Sequence, residues 1–486
     1  MMYDGTTPRG ITHDSELTAD SDDLRLLSKE RITRIVEQAE AAVTGAGRTS
    51  VQVTGWWNSE MRVSRNRIAL SSHRRDLRVA VTRTINGVSG EASTNQLDAA
   101  SLQGVTHAAE RLALFGSGLS RGEVAPLVGP VLESPDTHIW SDATFSLPGD
   151  QQTAVAVQLA RSAEAKGMMA AGYIETRVGE VATCVLGQGK EVTYSRFTQA
   201  QCSMTVRHPK GVGSGWAGLS SYDWSVLHPK QLVETSLDKC LKSLNPVAIE
   251  PGRYTVIMEP QAVADMFDTL FWAFDRRSQA EERPEHPFFL APEPAFRAGR
   301  SKLGLKIVDE RITISHLPTD PSLGVVPAPG MQPITWIDRG VLTSISYERA
   351  QYALPLLNEN LPDLWRPSYR INGGDSSIDQ MIANTERGLI VTRFSTPMML
   401  SRESVLVTGL TRDGLWLVER GKISRAVKNM RFTESMLFVL NQLDALSESV
   451  PVFRPVSRPG TPGLSPAVVP AMKVRDFSFT SMTDAV

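Results

Sequence analysis

The stretch that most constrains the fold is residues 254–279, YTVIMEPQAVADMFDTLFWAFDRRSQ. Its opening apolar run predicts a buried strand, and Pro260 suits the first turn of a following helix, where its missing N–H costs nothing. Apolar residues then recur at three- and four-residue steps, which predicts one amphipathic helix packed inward. These residues are Val263, Met266, Phe267, Leu270, Phe271 and Phe274. The stretch contains no histidine, so it offers no imidazole to a metal.

The part of the chain before this stretch alternates between helical and strand patterns. Helical spacing covers residues 22–42, 97–114, 151–166 and 229–244, and alternating apolar segments lie between them. Asn58-Ser59-Glu60 and Asn86-Gly87 have the composition of hairpin turns, which predicts an antiparallel meander. Helices combined with consecutive antiparallel strands indicate an α+β fold.

A second set of strand patterns follows the central stretch. Turns are expected between these strands at Asp338-Arg339-Gly340, Arg412-Asp413-Gly414 and Glu419-Arg420-Gly421, and a last helix is expected over residues 433–446. The Pro- and Gly-rich stretch 245–252 is the predicted boundary between domains.

We therefore expect three parts. They are a loose tail 1–21, an N-terminal domain 22–245 of antiparallel sheet with packed helices, and a β-rich C-terminal domain 246–486 with a proline-rich connector 451–470.

Composition restricts the class of partner. The 51 basic and 53 acidic residues give a net charge of −2, so charge does not favour nucleic acid. No run of about 18 apolar residues predicts a membrane span. The three cysteines are scattered and the N-terminus lacks an apolar signal core, so we expect a cytoplasmic protein.

Several local motifs carry no chemistry of their own. Gly213-Ser214-Gly215-Trp216-Ala217-Gly218 matches GxGxxG literally, but the sequence around it predicts a loop instead of the strand and helix that a dinucleotide site requires. His208 and His228 lack the spacing of zinc ligands, and no GxSxG nucleophile motif is present. An arginine-rich stretch from Arg62 to Arg78 is typical of the solvated side of an edge hairpin.

Residues from about 24 to 479 resemble the TldD/TldE (PmbA) family of bacterial metallopeptidase subunits. The stretches that carry the resemblance are MRVSRNRIA, INGVSGEASTNQLD, LGLKIVDERITISHLPTD, WIDRGVLTSI, RPSYRINGGDSSIDQMIANTERGLIVTRF and TGLTRDGLWLVERGKISRAVKNMRFTES. The resemblance implies an α+β fold. In the active TldD-type subunit, an HExxxH motif on the central helix supplies two metal-binding histidines and a general base, and a late cysteine completes the site.

The resemblance also locates what this chain lacks. The three motif positions fall on Asp268, Thr269 and Ala273, and Cys240 is the last cysteine. The chain is thus similar to the TldE-like member, which lacks the motif. We therefore expect this chain to have no catalytic residue and to bind no metal. The resemblance implies that a TldD-like, HExxxH-bearing partner subunit holds a divalent metal, expected to be zinc.

The resemblance implies a hetero-oligomeric peptidase that acts on small or unfolded peptides. Candidate peptide-binding residues, taken as polar groups on turns, are Arg370, Asn372, Arg393, Arg412, Asp413, Asn429 and Arg431. Two alternatives remain: a stand-alone peptide-binding protein, and a hydrolase with a different site built on Asp265, Asp268 or Cys202. A homodimer of the isolated chain also remains open.

Overall fold

The computed structural model describes residues 26–86, 88–119, 139–186, 192–275, 277–291, 300–325, 333–345, 368–454 and 465–483. The predicted tail 1–21 and part of the predicted connector, 455–464, lie outside the described residues. Among the described residues, no helix is long and apolar enough to cross a membrane.

The first half of the chain forms the N-terminal sheet, whose strands pair antiparallel in the order β3-β2-β1-β4-β5-β6. Its strands are β1 (Arg48–Ser64), β2 (Arg67–Ile85), β3 (Val88–Thr94), β4 (Met169–Leu186), β5 (Val192–Arg207) and β6 (Ser214–Ser221). Its helices are α1 (Lys29–Ala41), α2 (Ala99–Leu119), α3 (Asp142–Phe145), α4 (Gly149–Glu164) and α5 (Pro229–Lys242), and a 3₁₀ turn covers Trp224–Val226.

The long strand β1 supports two separate apolar clusters on one face. At about 3.3 Å per residue, its 17 residues span roughly 55 Å, enough for two pairs of helices. Val51 and Val53 pack with α1 and α2, whereas Met61 and Val63 pack with α4 and α5. The alternation of apolar residues along β1 thus positions all four helices.

The predicted turn at Asn58-Ser59-Glu60 is wrong, because β1 continues through it. Ser59 is buried, and its hydroxyl donates a hydrogen bond of 2.9 Å to Gln152 of α4, so the polar side chain is satisfied within a strand. The chain turns instead at Arg65 and Asn66, with φ of 49° and 62°, the two left-handed residues of a tight hairpin.

The second half forms the C-terminal sheet, with the order β12-β11-β10-β13-β19-β17-β15-β14-β7; β16 pairs with β15 and β18 with β19. The first strands of this sheet are β7 (Gly252–Met258), β10 (Ile314–His316), β11 (Ile334–Asp338), β12 (Val341–Leu342) and β13 (Tyr369–Ile371). Strands β8 (Phe289–Leu290) and β9 (Arg300–Ser301) pair with each other in a separate two-stranded sheet. The remaining strands of the C-terminal sheet are β14 (Arg387–Ser401), β15 (Leu406–Glu419), β16 (Lys422–Ala426), β17 (Met430–Ser435), β18 (Leu443–Pro451) and β19 (Ala467–Met482).

Strand β7 pairs with both β14 and β19, so β7, β14, β15, β17 and β19 close into a ring. The β7–β14 and β13–β19 pairs are parallel and the other pairs in this sheet are antiparallel. The helices are α6 (Pro260–Phe267), α7 (Arg277–Glu282), α8 (Ile378–Ala383) and α9 (Met436–Asn441). The α+β fold class is confirmed.

The predicted strand of the central stretch is β7, but the single long helix after it is wrong. Helix α6 ends at Phe267, and a 3₁₀ turn then covers Phe271–Asp275. After Asp268 the backbone N–H groups of Thr269 and Leu270 donate to carbonyls three residues earlier, at 3.2 and 2.9 Å, so the α-helical pattern of bonds four residues apart stops there. The six apolar residues of the pattern are all fully buried. The pattern therefore predicted their burial correctly but not the backbone conformation that carries them.

Four further predictions concern three turns and the last helix. The turns at Arg339-Gly340 and Arg420-Gly421 are confirmed, with positive φ at all four residues. The turn at 412–414 is wrong, because these residues lie inside β15. The helix at 433–446 is also wrong in extent, because α9 is short and lies between β17 and β18.

The GxGxxG match is not a dinucleotide fingerprint. Residues 214–218 belong to β6, which pairs antiparallel with β5 instead of opening a helix. The predicted loop is wrong, since these residues form a strand, and the helix that a dinucleotide fingerprint requires does not begin here.

Candidate binding site at the sheet junction

The two sheets meet at a polar surface beside α6, which we call the sheet junction. The N-terminal half contributes Arg207 at the end of β5, Trp216 on β6 and Lys239 on α5. The C-terminal half contributes α6, the middle of β14 and the middle of β15. Lys239 and Glu259, the residue that precedes α6, form an ion pair of 2.5 Å across the junction.

Asp265 is the acidic centre of α6. Its carboxylate accepts hydrogen bonds from the Gln261 amide at 2.9 Å and from the Phe394 backbone N–H at 3.0 Å, and Arg393 lies 3.9 Å away. Burial raises the pKa of Asp265 to about 6, although Arg393 and both hydrogen bonds act to lower it. The three partners fix the carboxylate against β14.

Arg393 connects the two sheets through its guanidinium group. The group stacks over the indole of Trp216, with 4.6 Å between its central carbon and the ring centroid. The indole N–H in turn donates to the Ser203 hydroxyl at 2.9 Å, which holds the ring in place. Trp216 is thereby a rigid apolar surface beneath a cation.

Asp413 is a buried carboxylate that faces three arginines. Its oxygens lie 3.9 Å from Arg207, 4.0 Å from Arg393 and 3.8 Å from Arg412. Asp413 itself is 2% exposed and adopts φ of 56°, and Gly414 follows at φ of 140°. This left-handed pair interrupts the ladder between β14 and β15 and directs the carboxylate into the junction.

A second ion pair lies behind α6. Arg454 is 2% exposed, and its guanidinium nitrogen lies 2.9 Å from the Asp268 carboxylate oxygen. The two atoms form an ion pair but do not meet the geometry of a hydrogen bond. Arg454 also donates to the Ser465 carbonyl and lies over the ring of Tyr369 at 5.1 Å. These contacts commit Asp268 to a structural partner.

The residues at the family's motif positions do not fit a zinc ion. Asp268 is paired with Arg454, the Thr269 hydroxyl donates to a backbone carbonyl, and Ala273 is buried without a donor atom. Among the described residues, no group of three or more His, Cys, Asp or Glu side chains could hold a metal ion. We therefore derive no metal-dependent step on this chain.

The predicted peptide-binding residues do not form one cluster. Only Arg393, Arg412 and Asp413 come together, and they lie on strands instead of turns. Their neighbours Arg207 and Trp216 were missed, because nothing in the sequence connects β5 and β6 with β15.

The other four candidates make their contacts outside the charged cluster of the junction. Arg370 pairs with Asp320 at 2.7 Å, and the Asn372 backbone N–H donates to the Thr313 carbonyl at 3.0 Å. Asn429 accepts a hydrogen bond of 3.0 Å from Thr411, and Arg431 is exposed on β17.

Comparison with known proteins gives a family and a fold. Residues 251–481 match the family model described as the PmbA/TldA metallopeptidase C-terminal domain. The structure is similar to a candidate modulator of DNA gyrase from Thermotoga maritima, with 13% identity, a TM-score of 0.72 and coverage of 93% of this chain and 100% of that one.

Two further solved structures share the fold. One is TldE from Thermococcus kodakarensis, at 15% identity, a TM-score of 0.71, and 93% and 100% coverage of the two chains. The other is a candidate modulator of DNA gyrase from Bacteroides thetaiotaomicron, at 16% identity, a TM-score of 0.70, and 93% and 99% coverage. No curated protein matches the sequence.

Proposed function

Because the chain belongs, through residues 251–481, to the PmbA/TldA metallopeptidase family, we propose that it is a non-catalytic subunit of a TldD/TldE-type hetero-oligomeric peptidase. The partner in this proposal is a TldD-like subunit that bears HExxxH and holds the divalent metal. The substrates are small or unfolded peptides.

One observation carries the proposal: the positions that would hold the metal are occupied by residues with other roles. Asp268 is paired with a buried guanidinium, and a cation there competes with a metal ion for the same carboxylate. Ala273 is fully buried in the apolar core, so no ligand can be supplied from that position. A peptidase built on this fold needs its metal-activated water from another chain.

Peptide binding is the contribution that the junction supports. Strand β7 pairs with residues 388–391 of β14 and no further along that strand. The backbone N–H of Phe394 donates a hydrogen bond to the Asp265 carboxylate. Beyond it, Met398 and Leu400 are exposed, at 63% and 56%. An extended peptide added at this edge would pair through its main chain, which gives binding that tolerates many sequences.

The test is peptide hydrolysis by this chain alone, by an HExxxH-bearing subunit from the same cells alone, and by the two together. We expect turnover only from the mixture, lost on chelation of the metal and restored by zinc. The matched control is the HExxxH subunit with its motif glutamate replaced by glutamine, which should assemble and be inactive.

Two results would contradict the proposal. Turnover by the purified single chain that is lost in the Asp265→Asn variant would favour a hydrolase with its own site. Peptide binding without any association with an HExxxH subunit would favour a stand-alone binding protein.

A further inference from the structure

The arginines of the sheet junction come from three strands and both halves of the chain. Arg207 ends β5, Arg393 lies on β14, and Arg412 lies opposite Arg393 on β15. Their side chains are 34%, 25% and 40% exposed, so each of the three is partly accessible from solution. They surround the carboxylate of Asp413 at 3.8–4.0 Å, beyond hydrogen-bond distance.

The donors of this cluster greatly outnumber its acceptors. Each guanidinium carries five N–H donors. Within the described residues the three groups make one hydrogen bond, from Arg412 to the Ser395 hydroxyl at 3.3 Å. The Arg393 Nε and one oxygen of Asp413 are buried and have no hydrogen-bond partner. A ligand does not reach these two buried atoms. It is the partly exposed guanidinium groups, with many donors and few acceptors, that call for an anionic ligand.

The charge balance selects the kind of ligand. Three guanidinium groups face two carboxylates, Asp413 and Asp265, which leaves one net positive charge. A monoanion neutralises this charge, whereas a dianionic phosphate would leave excess negative charge beside the buried Asp413. Planar guanidinium forks also match the two oxygens of a carboxylate.

We propose that Arg207, Arg393 and Arg412 bind the C-terminal carboxylate of a short peptide at the sheet junction. The indole of Trp216, which packs under Arg393, holds that guanidinium in a fixed orientation, so less side-chain freedom is lost on binding. Asp413 sets the spacing of the three arginines through its charge. This inference names the peptide end recognised by the proposed subunit and rests on the proposed function for its role in proteolysis.

The experiment is isothermal titration calorimetry on the full chain without any partner. The two probes are trialanine with a free carboxylate and trialanine with a C-terminal amide. We expect the free carboxylate to bind at least tenfold more tightly. The Arg412→Gln variant should lose about tenfold in affinity for the free acid and little for the amide, because a charge-assisted contact is removed.

Two controls keep the test decisive. Arg425→Gln removes an exposed arginine from β16, which also pairs with β15, and should leave both affinities unchanged. Arg207→Gln repeats the test from the other sheet, in case Arg412→Gln alters folding. Circular dichroism of each variant checks that it is folded.

Equal affinity for the acid and the amide would overturn the inference, and so would displacement of the acid by inorganic phosphate at lower concentration than by acetate. Neither result bears on whether the chain assembles with an HExxxH subunit. Conversely, carboxylate-dependent binding by a chain that joins no such subunit would overturn the proposed function and keep the site.

Discussion

Removing the guanidinium of Arg454 should destabilise the C-terminal half of the chain. The Arg454→Met variant keeps the stem and leaves Asp268, 22% exposed, without the cation 2.9 Å from its carboxylate. Breaking a buried ion pair by loss of one partner costs about 3–5 kcal/mol, and the partial exposure of Asp268 places the expected loss at about 3 kcal/mol. For a unit of this size, the midpoint of thermal unfolding should fall by roughly 6–12 °C.

Differential scanning calorimetry measures this loss. The matched control is Lys242→Met, which breaks an exposed pair with Asp238, 68% and 57% exposed, and should change stability by less than about 1 kcal/mol. The double variant Asp268→Asn/Arg454→Met should recover part of the loss, because the uncompensated carboxylate is removed. An Arg454→Met midpoint that coincides with that of the control would refute the structural role of the pair.

Three other changes test separate parts of the structure. Burial raises the pKa of Glu180 from 4.5 to about 7, so between these pH values the folded state holds a proton that the unfolded chain releases. The free energy of unfolding should therefore fall as pH rises from about 4.5 to about 7. Urea titrations at several pH values measure this slope, and Glu180→Gln should flatten it. Gly414→Ala should cost more than about 2 kcal/mol in urea unfolding, because its φ is 140° and a Cβ would lie 2.2 Å from the Trp416 ring; Gly252→Ala, whose Cβ would meet its nearest atom at 3.9 Å, should cost less than about 1 kcal/mol. Ala273→His should lower the thermal midpoint by overpacking a fully buried site, and added zinc should not restore it.

The periodicity of the sequence predicted what is buried better than it predicted backbone shape. The six apolar residues from Val263 to Phe274 are all in the core, yet after Phe267 tighter turns with bonds three residues apart replace the expected α-helix. Likewise, 412–414 has the composition of a turn, and the same left-handed residues form an irregularity inside β15, because the partner strand β14 continues past it. Local composition does not distinguish these two outcomes.

Only part of the candidate site was predicted, because its residues are far apart in the sequence. Arg393 and Arg412 were singled out, but the register that sets them opposite each other has no signal in one sequence. The pairs Asp268–Arg454 and Arg207–Asp413 join residues far apart in the chain. Arg454 in particular lies within the stretch 451–470, whose prolines predicted only an extended connector. Such contacts depend on tertiary packing, which periodicity does not contain.

The most direct test of the central claim is native mass spectrometry of the tagged chain isolated from its own cells, with metal content read for each released subunit. The account predicts a complex with a second, HExxxH-bearing chain, in which metal accompanies that chain and this one is released without it. Metal bound stoichiometrically to this chain after release would contradict the account, and so would a homo-oligomer with no second subunit.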